Sequence, residues 1–178
     1  MIKDYIVREE RPEEFPAIHN LVETAFETAR VKDGTEQDFV DRLRASGGYI
    51  PELALVAAGD AVLLGHIMLT RLVFKADSGV APRALLLAPL SVLMEYRGQG
   101  IGAALVAEAL RRARESGFQA VFLAGDPGYY GRFGFVRSDS LGVRCGESIP
   151  PQFLLALELE EGGLTAGEVD MSVEREIP

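Results

Sequence analysis

The chain contains one cysteine (Cys145), two histidines (His19 and His66) and no tryptophan. A single thiol excludes an internal disulfide and any cysteine-cluster metal site, and two histidines without a neighbouring carboxylate cluster give a metal little to bind. The expectation is a protein without a metal centre. No uninterrupted apolar run approaches the ~20 residues of a membrane helix, and Met1–Tyr5 lacks the apolar stretch of a signal peptide. These absences point away from a membrane and toward the cytoplasm. Positive charge is scarce: 18 Lys and Arg against 27 Asp and Glu leave a net charge of −9. A general nucleic-acid binder would need the opposite balance.

What remains is a 178-residue chain that is 48% hydrophobic, enough to bury the core of one ordinary domain. Its charge is uneven. Residues 83–137 carry seven Arg against four acids, whereas residues 1–82 and 138–178 are acidic. A locally positive centre in an acidic protein fits either an anionic small ligand or a solvated, Arg-rich helix face.

Apolar spacing predicts a first strand at Tyr5–Arg8 and a helix opened by Pro12 and Pro16 with Ile18, Leu21, Val22, Ala25 and Phe26 on one side. Thr35 followed by Asp38 reads as a cap for a second helix carrying Phe39, Val40 and Leu43. Residues 53–58 and 61–74, separated by Gly59-Asp60, read as a hairpin. Strands are expected at 84–93, 120–124 and 153–159, with a further weak strand near Val169–Val173. The order of elements predicts a mixed α/β class built on one sheet.

The segment Leu90–Ala103 carries most information. A strand runs into Gly98, Gly100 and Gly102, and a helix starts there with Ile101, Leu105, Val106, Ala109, Leu110 and Ala113 on its apolar side. Opposite that side, Glu108 with Arg112 and Arg111 with Glu115 form i,i+4 pairs. Each glycine costs a helix about 1 kcal/mol relative to Ala, so three at its start require a reason. One reason is a phosphate lying against bare amide N–H groups at the positive end of the helix dipole, with Arg97 at the rim. A plain tight turn is the alternative.

A P-loop is excluded because no Gly-Lys pair exists, but Gly98-x-Gly100-x-x-Ala103, with Asp126 about 20 residues on, matches a dinucleotide fingerprint. A nucleotide-dependent oxidoreductase is therefore the rival reading. Against it, only about 75 residues follow the motif, and what precedes it does not alternate as βαβ.

Arg97-x-x-Gly100-x-Gly102 behind an apolar strand resembles the acyl-CoA motif of the GNAT superfamily of N-acyltransferases. Tyr130-Gly131-Arg132-Phe133-Gly134-Phe135 resembles that family's Y-x-x-x-G-F segment, about 30 residues on, and the approach through Asp126-Pro127-Gly128-Tyr129 is similar to a subgroup of small bacterial N-acetyltransferases. The resemblance covers roughly Ile6 to Leu159. It implies a mixed, mostly antiparallel sheet of about seven strands flanked by helices, a domain over 1–160, and a C-terminal extension over 161–178 that adds a strand.

It further implies acetyl-CoA as co-substrate, a small-molecule or peptide amine as acceptor, and direct attack in a ternary complex. Leu90, Ser91 and Val92, on a strand splayed from its neighbour, together with Arg97, Gly98, Gln99, Gly100, Ile101, Gly102 and Ala103, would hold the cofactor. Pro89 suits an irregular strand, having no amide N–H for a ladder. Tyr130 would protonate the leaving thiolate, the Gly134-Phe135 spacing choosing it over Tyr129. The base is left open among Asp126, Glu23, Glu27 and a water relay. His19 reads as a helix-surface residue, His66 as a strand residue with no partner close in sequence, and Cys145 as an unreactive small side chain. A CoA-binding module without activity is the other alternative, and homodimer formation, common in the family, stays open.

Overall fold

The computed structural model describes residues 4–30, 32–146 and 149–172. Among the described residues, nine strands and four α-helices follow in chain order: β1 (Ile6–Glu9), α1 (Phe15–Glu27), α2 (Glu36–Ala45), β2 (Ala54–Ala58), β3 (Leu63–Ala76), β4 (Ala84–Val92), α3 (Ile101–Glu115), β5 (Ala120–Ala124), α4 (Pro127–Tyr130), β6 (Val136–Arg137), β7 (Val143–Cys145), β8 (Leu154–Glu158) and β9 (Gly167–Asp170). The main path of the sheet runs β1-β2-β3-β4-β5-β8-β6, with β9 bonded to the far end of β3 and β7 beyond it. All pairings on the main path are antiparallel except β4 with β5, which the α3 crossover makes parallel.

Helices cover both faces because apolar side chains alternate on both sides of the central strands. On one face, Ile18, Leu21, Val22, Val40 and Leu43 of α1 and α2 pack on Ala54, Val56 and Met68. On the other, Ile101, Leu105, Val106, Ala109 and Ala113 of α3 pack on Leu55, Ile67, Leu69, Leu85 and Val121. A third cluster joins Phe74 and Phe122, whose rings stack at 5.8 Å, to Val143 and Val169 of the outer strands.

Three expectations shift. The hairpin turn takes Gly59–Val62, closed by the Gly59 amide on the Val62 carbonyl at 2.9 Å, so β3 starts at Leu63. Thr35 stands at the N-cap of α2 without capping it; instead Thr35 Oγ1 donates to Asp33, and the Glu36 carboxylate accepts from the Asp33 and Gly34 amides. In the extension, the strand is Gly167–Asp170, two residues earlier than its sequence signal, and Val173 lies outside the described residues. The three-residue β7 has no counterpart in the periodicity. Among the described residues, no helix is long and apolar enough to cross a membrane.

Candidate active site

Strands β4 and β5 are paired only from Ala84 to Leu86 and from Ala120 to Phe122. Beyond Leu86, β4 departs from β5 and its last residues open onto a cleft. The departure coincides with an irregularity on β4's other side, where its register with β3 shifts between Ile67 and Leu69, around Pro89. A residue without an amide N–H is tolerated at such a bulge.

The glycine turn closes one end of this cleft. Gly98 and Gly100 have φ of +73° and +84°, the left-handed region that L side chains avoid, and Gly100 caps α3. The Ala104 amide makes the first intrahelical bond, to the Gly100 carbonyl at 2.9 Å, so the amides of Ile101, Gly102 and Ala103 have no acceptor within the helix. α3 is 15 residues long, and because Gly100–Ala103 at its N-terminus line the cleft, the positive end of its dipole faces it. The cleft encloses about 450 Å³ and is lined by the end of α1 (Ala25 and Phe26), Leu90, Ser91 and Val92 of β4, the turn, and Tyr129 and Arg132.

Of the cofactor-binding positions expected from the sequence, Leu90, Ser91, Val92, Arg97, Gly98, Gly100, Ile101, Gly102 and Ala103 all line this cleft. Gln99 does not; its side-chain amide donates to the Glu95 carbonyl at 3.1 Å. Arg97 stands at the rim, but its guanidinium is turned into the protein. It donates to the carbonyls of Val92 at 2.9 Å and Ala25 at 2.6 Å and to Thr28 Oγ1 at 2.9 Å, tying the last turn of α1 to the end of β4. The second guanidinium at the cleft, Arg132, was not singled out by sequence. It stacks 4.0 Å over the Tyr129 ring and forms no ion pair with the described residues.

The two tyrosines divide. Tyr129 lines the cleft, its hydroxyl lying 2.7 Å from where a Cβ on Gly102 would sit. Tyr130 packs edge-on against Phe135 and closely over Gly125, and burial followed by the proximity of Tyr129 pushes its phenol pKa up. Asp126 is committed to local structure: its carboxylate caps α4 by accepting from the Gly128 amide at 2.8 Å. Glu23 and Glu27 border a neighbouring cavity of about 390 Å³ with Asp33 and Glu36, which meets the cleft at Phe26.

The histidines differ from each other. His19 is partly exposed on α1, bonded to Asp41 of α2 at 2.8 Å, with Asp38 nearby. His66 is fully buried, and it does have a partner, 56 residues away: its Nε2 lies 2.8 Å from Glu10 Oε2. Glu10 also accepts two bonds from Arg44, both at 2.9 Å, and one from the Tyr49 hydroxyl at 2.8 Å. Cys145 is half-buried at the end of β7, far in the topology from the cleft.

Residues 15–135 match the sequence signature of the Acetyltransferase (GNAT) family. Two uncharacterized N-acetyltransferases of Escherichia coli K12 are similar. YhbS is 33% identical over 141 residues, covering 79% of this chain and 78% of its own. YjhQ is 38% identical over 100 residues, a match spanning 56% of this chain and about half (55%) of that relative's length. Among solved structures, E. coli YhbS in complex with CoA superposes with a TM-score of 0.81 at 28% identity, covering 96% of this chain and 93% of that one. A GNAT acetyltransferase from Brucella melitensis in complex with acetyl-CoA gives 0.75 at 29% identity, covering 94% and 96%. The signature spans more than half of the sequence and the superpositions nearly all of it, so the chain belongs to the GNAT acetyltransferase family.

Proposed function

We propose that the protein transfers acetyl from acetyl-CoA to a primary amine by direct attack in a ternary complex. The observation that carries this reading is the run of acceptor-less amides at Ile101–Ala103, at the positive end of α3, facing a cleft whose other wall is the splayed end of β4. Bare amides at a helix N-terminus suit a diphosphate. Freed β4 backbone groups suit the amide-rich pantetheine arm, and donors aimed at the thioester oxygen would stabilise the tetrahedral oxyanion. Arg132 supplies the positive charge at the phosphate end, since Arg97 is taken up by α1 and the end of β4.

Tyr130 is carried forward as the proton donor to the thiolate on the strength of its motif spacing. A phenol is already protonated at neutral pH at its ordinary pKa near 10, as a donor must be, and burial raises that of Tyr130 further. Tyr129 has the more open position and is the alternative donor. The neighbouring cavity, where Glu23, Glu27, Asp33 and Glu36 outnumber the single Lys32, is net acidic, adjoins the cleft and favours a cationic amine as acceptor.

Thermal stabilisation by acetyl-CoA and CoA, compared with NAD(H), tests the cofactor, because a ligand that binds only the folded state raises its stability. Stabilisation by acetyl-CoA with thiol release in a panel of amines is expected. Stabilisation by NAD(H) alone would overturn the reading.

A further inference from the structure

Two buried polar atoms have no hydrogen-bond partner among the described residues: His66 Nδ1 and Ser91 Oγ. Buried polar groups are nearly always paired, so two orphans call for an explanation. They are neighbours. Arg8, Val56, His66 and Ser91 form one row across β1, β2, β3 and β4, with His66 directly opposite Ser91. Opposed residues in an antiparallel pair place their Cβ atoms about 4.5–5.5 Å apart on the same face. At that Cβ spacing a serine hydroxyl and an imidazole nitrogen can be joined by a rotamer change or by a single bridging water. Ser91 also lines the cleft, whereas His66 stands behind it.

We propose that Ser91 and His66, backed by Glu10, form the path by which the acceptor's ammonium group loses its proton before attack. This rests on the acetyltransferase reading above and supplies the base that the motifs leave open.

The chemistry follows from the bonds around the ring. Burial alone would raise the Glu10 carboxyl, but hydrogen bonds from His66 and Arg44 outweigh it and hold its pKa at about 2, so it is ionised. An ionised carboxylate only accepts, so the His66 Nε2–H donates to it, and Nδ1, the ring nitrogen left without a partner, is the atom the relay uses as acceptor. Arg44 pairs with the same carboxylate, its Nε 2.9 Å from Glu10 Oε1. The other groups around the ring are Tyr49, which donates to Glu10, and the apolar face of α1 at Ile18, Leu21 and Val22; Arg8 in the same row is paired with Glu14.

In the step itself, the ammonium gives one proton to Ser91 Oγ while the Ser91 proton passes, directly or through one water, to His66 Nδ1. The freed nitrogen lone pair then forms the C–N bond to the thioester carbon, whose π pair moves to oxygen. Collapse breaks the C–S bond. The thiolate takes a proton from the tyrosine, which recovers one from the acylated nitrogen. The single proton left on His66 returns to solvent as product leaves, matching the one proton released overall.

The test compares wild type, His66→Gln and Ser91→Ala from pH 6 to 10, using whichever amine of a panel of spermidine, lysine and lysine-terminated peptides the wild type acetylates. Gln keeps a donor to Glu10 without a proton-accepting nitrogen. At pH 7 both variants are expected to lose about tenfold or more in kcat/KM, with KM for acetyl-CoA within about twofold of wild type. The gap should close toward pH 10, where the amine, with a reference pKa of about 10.4 for lysine, deprotonates unaided. A loss of equal factor at all pH values, or an acetyl adduct on Ser91 in intact mass, overturns the relay. Should His66→Gln fail to fold, Ser91→Ala carries the same comparison.

A second arm needs no turnover. In ¹⁵N NMR of the His19→Ala protein, His66 should be the Nε2–H tautomer at neutral pH, with an Nδ1 resonance that moves in Ser91→Ala. An imidazolium, or an Nδ1 indifferent to Ser91, sinks the proposal even where the amine panel gives no product. Absent thiol release together with absent CoA stabilisation sinks the acetyltransferase reading instead.

Discussion

The Tyr129 hydroxyl sits over Gly102, 2.7 Å from the position a Cβ would occupy there. Unlike Gly98 and Gly100, Gly102 has an ordinary helical φ, so its lack of a side chain answers to close approach and not to backbone conformation. Gly102→Ala should therefore fold, since Ala is the better helix former, yet it must displace the Tyr129 ring into the cleft. The expected result is CoA binding weakened about tenfold, near 1.4 kcal/mol. Pairing it with Tyr129→Phe, which removes the clashing oxygen, should recover part of the loss by calorimetry; strictly additive losses would show that the contact is not the cause.

The two guanidiniums at the cleft should separate by assay. Arg97 donates to one carbonyl near the end of α1, that of Ala25, and to the Val92 carbonyl at the end of β4, so Arg97→Ala should cost stability, about 1–3 kcal/mol by chemical denaturation. Arg132 has its charge free for a phosphate. Arg132→Ala should leave the melting temperature of the unliganded protein in place, weaken CoA binding, and flatten the dependence of that binding on salt.

The tyrosine pair gives a kinetic contrast. If Tyr130 donates the proton to the thiolate, Tyr130→Phe should lower kcat about 100-fold or more and leave KM for acetyl-CoA little changed, the signature of an interaction made only in the transition state. Tyr129→Phe should act mainly on CoA affinity. An exchange of these two outcomes would move the donor role to Tyr129.

The parts of the fold read correctly from sequence are those whose cause is local. Alternation and helical spacing mark β2, β4, α1 and α3, and the i,i+4 pairs predicted on α3 form, Arg112–Glu108 at 2.7 Å and Arg111–Glu115 at 2.5 Å. The glycine turn is legible because a positive φ leaves its mark on residue type at that very position. The Glu10 network is not legible, because Glu10, Arg44, Tyr49 and His66 come from four segments and meet only after β1, β2 and β3 pair and α2 packs across them. Nor does Arg97 reveal which way it turns: its acceptors at Ala25 and Thr28 lie some 70 residues earlier in the chain. The choice between Tyr129 and Tyr130 turns on one residue of register in a four-residue helix, too short for periodicity to decide.

Acid stability should report the same buried network. The Glu10 pKa is lowered to about 2 in the folded protein, against an ordinary value near 4.5 when unfolded. Between those values the unfolded chain binds the proton and the folded one does not, so the stabilisation is complete above about pH 5 and drains as pH falls toward 2. A shift of this size corresponds to about 3 kcal/mol. Denaturation of wild type at pH 7, 5 and 3 should show most of its loss between the last two. Glu10→Gln should be destabilised at pH 7, because it leaves Arg44 and His66 facing a neutral amide in a buried site, by about 3–5 kcal/mol. Its stability should then fall less steeply between pH 5 and 3. Glu108, whose pKa is also lowered to about 2 by hydrogen bonds from Arg111 and Arg112, is the control: it lies on the partly exposed face of α3, where solvent screens the pair, so Glu108→Gln should leave the acid limb nearly as steep as in wild type. An acid limb that follows Glu108 and ignores Glu10 would mean that the buried carboxylate is not held ionised.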